Sequence, residues 1–136
     1  MQSIIIADNE FLTLRYLPDK KLVYHTIHKP ITDDEVLKAT LDIGTEALKR
    51  YGICKWLSDD RLNGPLSPAF LEWSATDWQP RTIAVGWKYW ANVAPHELVA
   101  AGALIPVIEN LYTMGLRMMV FGELEKAFDW LEQVDT

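Results

Sequence analysis

After residue 30, segments with the apolar periodicity of helices alternate with short apolar runs typical of strands. Before them, residues 11–17 and 21–28 flank a turn at residues 18–20, a pattern that predicts an antiparallel hairpin. Strands joined through a helix pair in parallel by right-handed crossovers. The order therefore predicts an α/β fold: an N-terminal antiparallel hairpin followed by β/α units, forming a mixed sheet with helices packed on it.

The first helix has the clearest boundary signals. Thr32 is the expected N-cap, and Glu35 would close a capping box with it. Lys49 and Arg50 suit the negative end of the helix dipole, and Gly52 supplies the left-handed residue just past the helix end.

The remaining elements follow from the same rules. Ser67 is the expected N-cap of the next helix, with Pro68 at its first position, and Pro80 is expected to end or kink that helix. Gly102 and Pro106 interrupt the following helical connection. The predicted strands cover residues 53–58, 86–93 and 116–121, and the predicted helices cover residues 67–80, 95–115 and 122–133. The last helix has an apolar face formed by Leu124, Ala127, Phe128 and Leu131.

Composition limits the function classes. A net charge of -6 and a pI near 5.0 argue against nucleic acid or an anionic membrane as a partner. The 136 residues correspond to a single domain, residues 1–136, and the N-terminus has the features of neither a signal peptide nor a membrane span. A single cysteine is typical of a reducing compartment, so a cytoplasmic location is expected.

Three stretches resemble the small STAS-like, SpoIIAA-like bacterial domains: CKWLSDDRLNGPLSP, EW followed by DWQPRTIAVGWKYWANV, and GLRMMVFGELEKAFDWL. The resemblance extends over residues 11–131. It implies a single STAS-like domain acting as a non-enzymatic regulatory module that binds a protein partner. STAS domains that antagonise anti-sigma factors carry a phosphorylatable serine in an Asp-Ser-(Ser/Thr)-Gly loop. The equivalent loop here lacks that motif, although Ser67 lies at the helix start where a phosphorylated serine would be expected.

The loop of residues 56–68 follows a strand, at the edge of the sheet where ligands and partners of α/β proteins usually bind. Asp59, Asp60 and Arg61 form its densest polar cluster. The two carboxylates could bind a cation, or one of them could act as a general base. Alternatively, one of these carboxylates pairs with Arg61 or caps loop amides. The candidate partner- or ligand-binding residues are Asp59, Asp60, Arg61, Asn63, Ser67, Trp73 and Trp78.

Other polar residues do not form a recognisable catalytic or metal-binding pattern. His25 and His28 are three apart in a predicted strand and face opposite sides, so they cannot share a metal ion. Cys54 begins an apolar run without a nearby histidine to activate it, which favours core packing. The sequence therefore predicts a protein that is not an enzyme and has no metal or cofactor.

Tryptophan is enriched in ligand pockets and at interfaces, and this chain has six. Trp73 and Trp78 lie on one predicted helix, and strand alternation would separate Trp87 from Trp90. At least one tryptophan of each element is therefore expected near solvent, a pocket or a partner. The alternative is that these rings close a helix onto the sheet.

Residues 98–108 contain no charged residue, although a surface helix needs a polar outer face. A second subunit, an apolar ligand or additional chain would account for this. The first alternative predicts a homodimer, with self-association through Leu98, Ala101, Leu104, Ile105 and Ile108. The second predicts a carrier or sensor of a small apolar, lipid-like ligand, bound between Trp73, Trp78, Leu98, Ile105 and Ile108.

Overall fold

A computed structural model describes residues 2–134 and contains one six-stranded sheet. The strands lie side by side in chain order, antiparallel from β1 to β3 and parallel from β3 to β6. They are β1 (Ile4–Asp8), β2 (Leu12–Leu17), β3 (Leu22–Ile27), β4 (Lys55–Asp59), β5 (Tyr89–Val93) and β6 (Arg117–Phe121). The predicted mixed α/β sheet with its hairpin is confirmed, and β1 is an additional edge strand that the sequence analysis missed.

Six α-helices connect or follow these strands. They are α1 (Asp34–Tyr51), α2 (Pro68–Trp73), α3 (Gln79–Ala84), α4 (His96–Ala100), α5 (Ile105–Thr113) and α6 (Leu124–Gln133). None of the helices within residues 2–134 has the length and apolar character needed to cross a membrane.

The N-terminus of α1 differs from the prediction by one residue. Asp33, not Thr32, is the N-cap, because its backbone is extended and its carboxylate accepts a hydrogen bond from the backbone N–H of Glu35 at 3.0 Å. At the other end, Gly52 has the predicted left-handed conformation, with φ of 62°.

Pro80 does not end its helix, which was one of the two expected outcomes; the helix instead departs from regular α-helical geometry just before the proline. A π-helical turn, Ser74–Trp78, joins α2 to α3, and Pro80 is the second residue of α3. A regular α-helix would bring the proline ring against a carbonyl of the preceding turn. The wider π turn relieves that contact, so the helical path continues to Ala84.

The connection between β5 and β6 is broken at Gly102, which has a φ of 65° and separates α4 from α5. Pro106 does not interrupt a helix. It lies in the first turn of α5, where the missing N–H removes no intrahelical hydrogen bond.

The sheet buries two different faces. Val23, Trp56 and Met118 belong to the larger core, on the face covered by α1, α2, α3 and α5, which we call the aromatic face. Leu57 and Ala91 point to the opposite side and pack with α6, and we call this the α6 face. The apolar side of α6 agrees with the prediction: Ala127 and Leu131 are buried, and Leu124 and Phe128 pack beside them.

Candidate functional site

Four of the six tryptophans form one cluster on the aromatic face. Trp78 lies with its ring centroid 5.3 Å from that of Trp56, 5.1 Å from that of Trp87 and 6.1 Å from that of Trp90. Trp87 precedes β5, so strand alternation does not apply to it, and its ring lies 5.0 Å from that of Trp90. The predicted separation of these two rings is therefore wrong.

Gly44 of α1 makes room for this cluster. A Cβ atom at this position would overlap the ring of Trp56. The glycine thus lets α1 approach the sheet over a tryptophan, which is one reason why so large a side chain is fully buried in β4.

Two tryptophans of the cluster orient polar groups on the strands. The indole N–H of Trp56 donates to Nδ1 of His25 at 3.1 Å, and that of Trp90 donates to Oγ of Ser58 at 2.8 Å. Because an indole N–H can only donate, Nδ1 of His25 is an acceptor and carries no proton. This assigns His25 as the neutral Nε2–H tautomer.

Asp60 directly follows β4 and accepts hydrogen bonds on both carboxylate oxygens. Nε2 of His25 donates to Oδ1 at 2.8 Å, and Nδ2 of Asn92 donates to Oδ2 at 2.6 Å. The backbone N–H of Asp60 is also bonded to the carbonyl of Val93 at 2.9 Å. Asp60 is thus held by two side-chain donors and its own main chain.

The sheet register explains why these groups meet. His25, Ser58 and Asn92 lie opposite one another on β3, β4 and β5, each as the fourth residue of its strand. In parallel strands, aligned residues point to the same face. The register therefore places three polar side chains in one row, next to the loop that carries Asp60.

His25 and Asn92 of this row line a cavity of about 640 Å³. Its wall is formed mostly by apolar side chains from α1, the helical path of α2 and α3, and the α4–α5 connection. Leu71 and Leu98 line the cavity and are also 50% and 46% exposed, so they lie at its rim. The polar residues in the wall are His25, Asp60, Asn63, Ser74, Gln79, Asn92 and Asn110.

The predicted pair of carboxylates does not form a single site. Asp59 is buried and forms two hydrogen bonds with Arg61, from Nε at 2.9 Å and from the terminal guanidinium nitrogen at 2.7 Å. Strand alternation points Asp59 to the α6 face, away from Asp60. The hydrogen bond from Arg61 to Asp59 raises the pKa of Arg61 above its usual range. Pairing of one carboxylate with Arg61, the alternative open from sequence, is what the structure contains.

Three candidate residues from the loop and the next helix have different surroundings: Asn63, Ser67 and Trp73. Asn63 borders the cavity and accepts a hydrogen bond from the backbone N–H of Ile31 at 3.0 Å, which fastens the loop to the chain after β3. Ser67 is the N-cap of α2, as predicted, and donates to Asp34 at 2.6 Å. Trp73 lies outside the cavity lining, with the Lys38 ammonium 5.4 Å from its ring centroid. Only Asn63 of these three borders the cavity.

The uncharged run of residues 98–108 divides between the cavity and the surface. Leu98 and Leu104 line the cavity, whereas Ile105 and Ile108 do not, contrary to the predicted ligand site. Ala101 is exposed, and Ile105 is 52% exposed. The absence of charge is thus accounted for in part by the cavity, and an apolar outer surface remains.

Cys54 and His28 do not line the cavity. Cys54 is half-buried before β4, and burial raises the pKa of its thiol, an effect that Lys55 and Lys88 partly oppose. No group of three or more His, Cys, Asp or Glu residues within residues 2–134 is arranged to hold a metal ion. His28 is bonded to Thr13 rather than to His25.

The sequence analysis missed His25, Ser58, Trp90 and Asn92 as parts of the site. Their signal was a polar residue at the fourth position of three neighbouring strands, two residues after a tryptophan in β4 and β5. That signal becomes interpretable only with the register of the sheet, which the sequence does not specify.

Comparison of this chain with protein-family models, with curated proteins and with solved structures gives no match. The function is therefore argued from the site itself.

Proposed function

We propose that this protein binds a small, predominantly apolar molecule in the cavity on the aromatic face, with the polar end of the molecule at Asp60. The single observation that carries the proposal is the largely apolar wall of this cavity, which has a volume of about 640 Å³. Small-molecule sites typically have volumes of about 300–1,000 Å³, apolar walls and a few convergent polar groups. The cavity has each of these features.

The position and the opening of the cavity also support binding. It lies beside the carboxyl ends of parallel strands, where ligands of open α/β sheets usually bind. The exposed rim formed by Leu71 and Leu98 gives a molecule access from solvent, while Trp78 and Trp90 line the interior.

We propose that His25 positions Asp60 rather than acting as a general base, because both of its ring nitrogens are already engaged. Nδ1 accepts from Trp56, and Nε2 donates to Asp60. A general base must present an unpaired lone pair to the substrate. His25 has no such lone pair in this arrangement, and its hydrogen bonds instead hold Asp60 in place.

The test is a titration with N-phenylnaphthylamine, a neutral apolar reporter whose fluorescence rises when it leaves water. Wild-type protein is expected to bind it saturably, with one molecule per chain. Ala75→Phe adds a ring at a cavity-lining position and is expected to weaken binding at least about tenfold. A wild-type protein without saturable binding would contradict the proposal.

Ala84→Phe is the matched control, because Ala84 lies on the same helical path, is exposed and does not line the cavity. It should bind the reporter as wild-type protein does. Equal loss in both variants would mean that the reporter binds elsewhere or that the added ring disturbs the helix.

As a second candidate function, we propose a STAS-like regulatory module that forms a homodimer and binds a protein partner. The supporting observation is an exposed apolar stripe on α5: Ile105 and Tyr112, seven residues apart on one helical face, are 52% and 65% exposed. Met119 on the edge strand β6 is a further exposed apolar residue, 44% exposed.

Light scattering at increasing protein concentration tests self-association. Wild-type protein and Leu62→Lys, a control in which an exposed leucine of the 60–66 loop is changed, are expected to have the mass of a dimer. Ile105→Lys is expected to be monomeric, because a buried unpaired ammonium would destabilise the interface. If wild-type protein were monomeric at every concentration, the proposed homodimer would be wrong.

A further inference from the structure

We propose that the ligand of the cavity is a cationic amphiphile: an apolar body that ends in a protonated amine, which binds the carboxylate of Asp60. This inference rests on the proposed ligand-binding function and specifies the chemistry of the polar end. It follows from the charge of the cavity, the hydrogen bonds of Asp60 and the aromatic side chains in the wall.

The cavity has a single formal charge. Among the described residues that line it, Asp60 is the only aspartate, glutamate, lysine or arginine. The nearest cationic residue in sequence, Arg61, is paired with Asp59 through two hydrogen bonds on the other side of β4. A negative group in a mostly apolar cavity attracts a ligand that brings the opposite charge.

His25 does not neutralise Asp60. Its Nδ1 accepts the indole proton of Trp56, so the ring cannot be protonated on both nitrogens while this hydrogen bond is present. Asn92, the other side-chain donor to Asp60, is neutral as well. Both partners orient the carboxylate and leave its charge in place.

The side chain of Asp60 remains accessible to a ligand, with 28% of its surface exposed, compared with 6% for His25. Each carboxylate oxygen has two lone pairs, and the hydrogen bonds from His25 and Asn92 occupy one on each oxygen. The remaining lone pairs can only accept. The polar end of the ligand must therefore donate, and an ammonium group donates most strongly to a carboxylate.

The wall of the cavity also suits an organic cation. Trp78 and Trp90 line the cavity, and indole rings attract ammonium groups more strongly than other aromatic side chains do. Hard metal cations need several oxygen ligands, usually six or more and several of them carboxylates, whereas the described lining of the cavity supplies one carboxylate. The same wall therefore favours an amine attached to an apolar body over a metal ion.

The test is displacement of N-phenylnaphthylamine by three molecules that share one phenylbutyl body: phenylbutylamine, phenylbutanol and phenylpentanoate. Wild-type protein is expected to bind the amine at least about tenfold more tightly than the alcohol, and the acid most weakly. Asp60→Asn removes the charge and keeps the shape. We expect the ratio between its affinities for the amine and for the alcohol to fall to about one, each measured by displacement of the reporter from that same variant.

Asp59→Asn is the matched control, because it removes the neighbouring carboxylate on the α6 face. It should retain the preference for the amine. If the Asp60 variant does not fold, the order of the three molecules on wild-type protein still decides the question, because that order requires no variant.

The outcomes separate the two proposals. Suppose that the reporter binds, and that the alcohol or the acid displaces it as well as the amine does or that none of the three displaces it. Either result overturns the proposal that the ligand is an amine, and the cavity remains a binding site. If the reporter itself does not bind wild-type protein, the proposed function fails, and the amine fails with it.

Discussion

The two faces of the sheet are covered in different ways. On the α6 face a single amphipathic helix lies against β4, β5 and β6, and its Ala127 and Leu131 are buried. On the aromatic face the cover consists of α1 and several shorter helical segments, interrupted by the π turn and by Gly102. A continuous apolar stripe can follow a sheet over its whole length, whereas short segments at different angles leave space between them. The cavity occupies such a space.

The same comparison applies to two neighbouring carboxylates at the end of β4. Asp59 is buried on the α6 face and has a cationic partner, Arg61. Asp60 is partly exposed to the cavity on the aromatic face and has two neutral partners, His25 and Asn92. Two consecutive residues therefore differ in role: Asp59 belongs to a structural ion pair, and the charge of Asp60 is available to a ligand.

The largest expected effect tests the difference in packing. Leu131→Ala should lower the free energy of unfolding by about 2–5 kcal/mol, because Leu131 is 1% exposed and the substitution leaves a void beneath α6. Leu98→Ala, at the rim of the cavity, should cost less than about 1 kcal/mol. Urea denaturation measures both values, and equal losses would show that the two faces are packed alike.

A smaller effect is expected at the polar row. His25→Phe should lower the free energy of unfolding by about 1–3 kcal/mol, because the indole N–H of Trp56 loses its buried acceptor and Asp60 loses a donor. His96→Phe, the control at an exposed position, should change it by no more than about 0.5 kcal/mol. If both variants were as stable as wild-type protein, the hydrogen bonds of His25 would not hold the site.

The smallest effect is expected at the ion pair. Arg61→Ala should cost about 1 kcal/mol at low salt, since the guanidinium is 43% exposed and solvent screens it, while Asp59 is 8% exposed. The difference from wild-type protein should shrink in concentrated salt, as the screening length falls to about 3 Å at 1 M ionic strength. Arg61→Lys serves as the control that keeps the charge.

Binding of N-phenylnaphthylamine to Arg61→Ala should equal that of wild-type protein, because the ion pair lies on the other face of the sheet. A loss of reporter binding in this variant would contradict the separation of Asp59 from Asp60.

Local signals in the sequence were sufficient for most elements of the fold. Gly52 ends α1 as predicted, because a left-handed residue just past a helix is a local requirement. The apolar side of α6 followed from its own periodicity. The position of the cap at α1 was misjudged by one residue, because Thr32 and Asp33 are both good caps and only the backbone conformation distinguishes them.

The candidate site was predicted only in part. The loop after β4 was identified from its polar residues and its place after a strand, and Asp60, Asn63 and Trp78 do line the cavity. Trp73 and Ile105 do not line it. They were selected as a tryptophan and as part of an uncharged run, and composition does not specify which side of a short helix faces inward.

The sequence alone determined the order of the elements from β2 onward, the parallel second half of the sheet and the position of a polar loop at the end of β4. These follow from periodicity, caps and turn residues, which act over a few residues. Only the tertiary structure decided that His25, Asp60 and Asn92 meet, and that Asp59 turns away from them. The physical reason is the strand register: it brings together residues that lie 32 and 35 positions apart in the chain, and it alternates the two carboxylates between opposite faces.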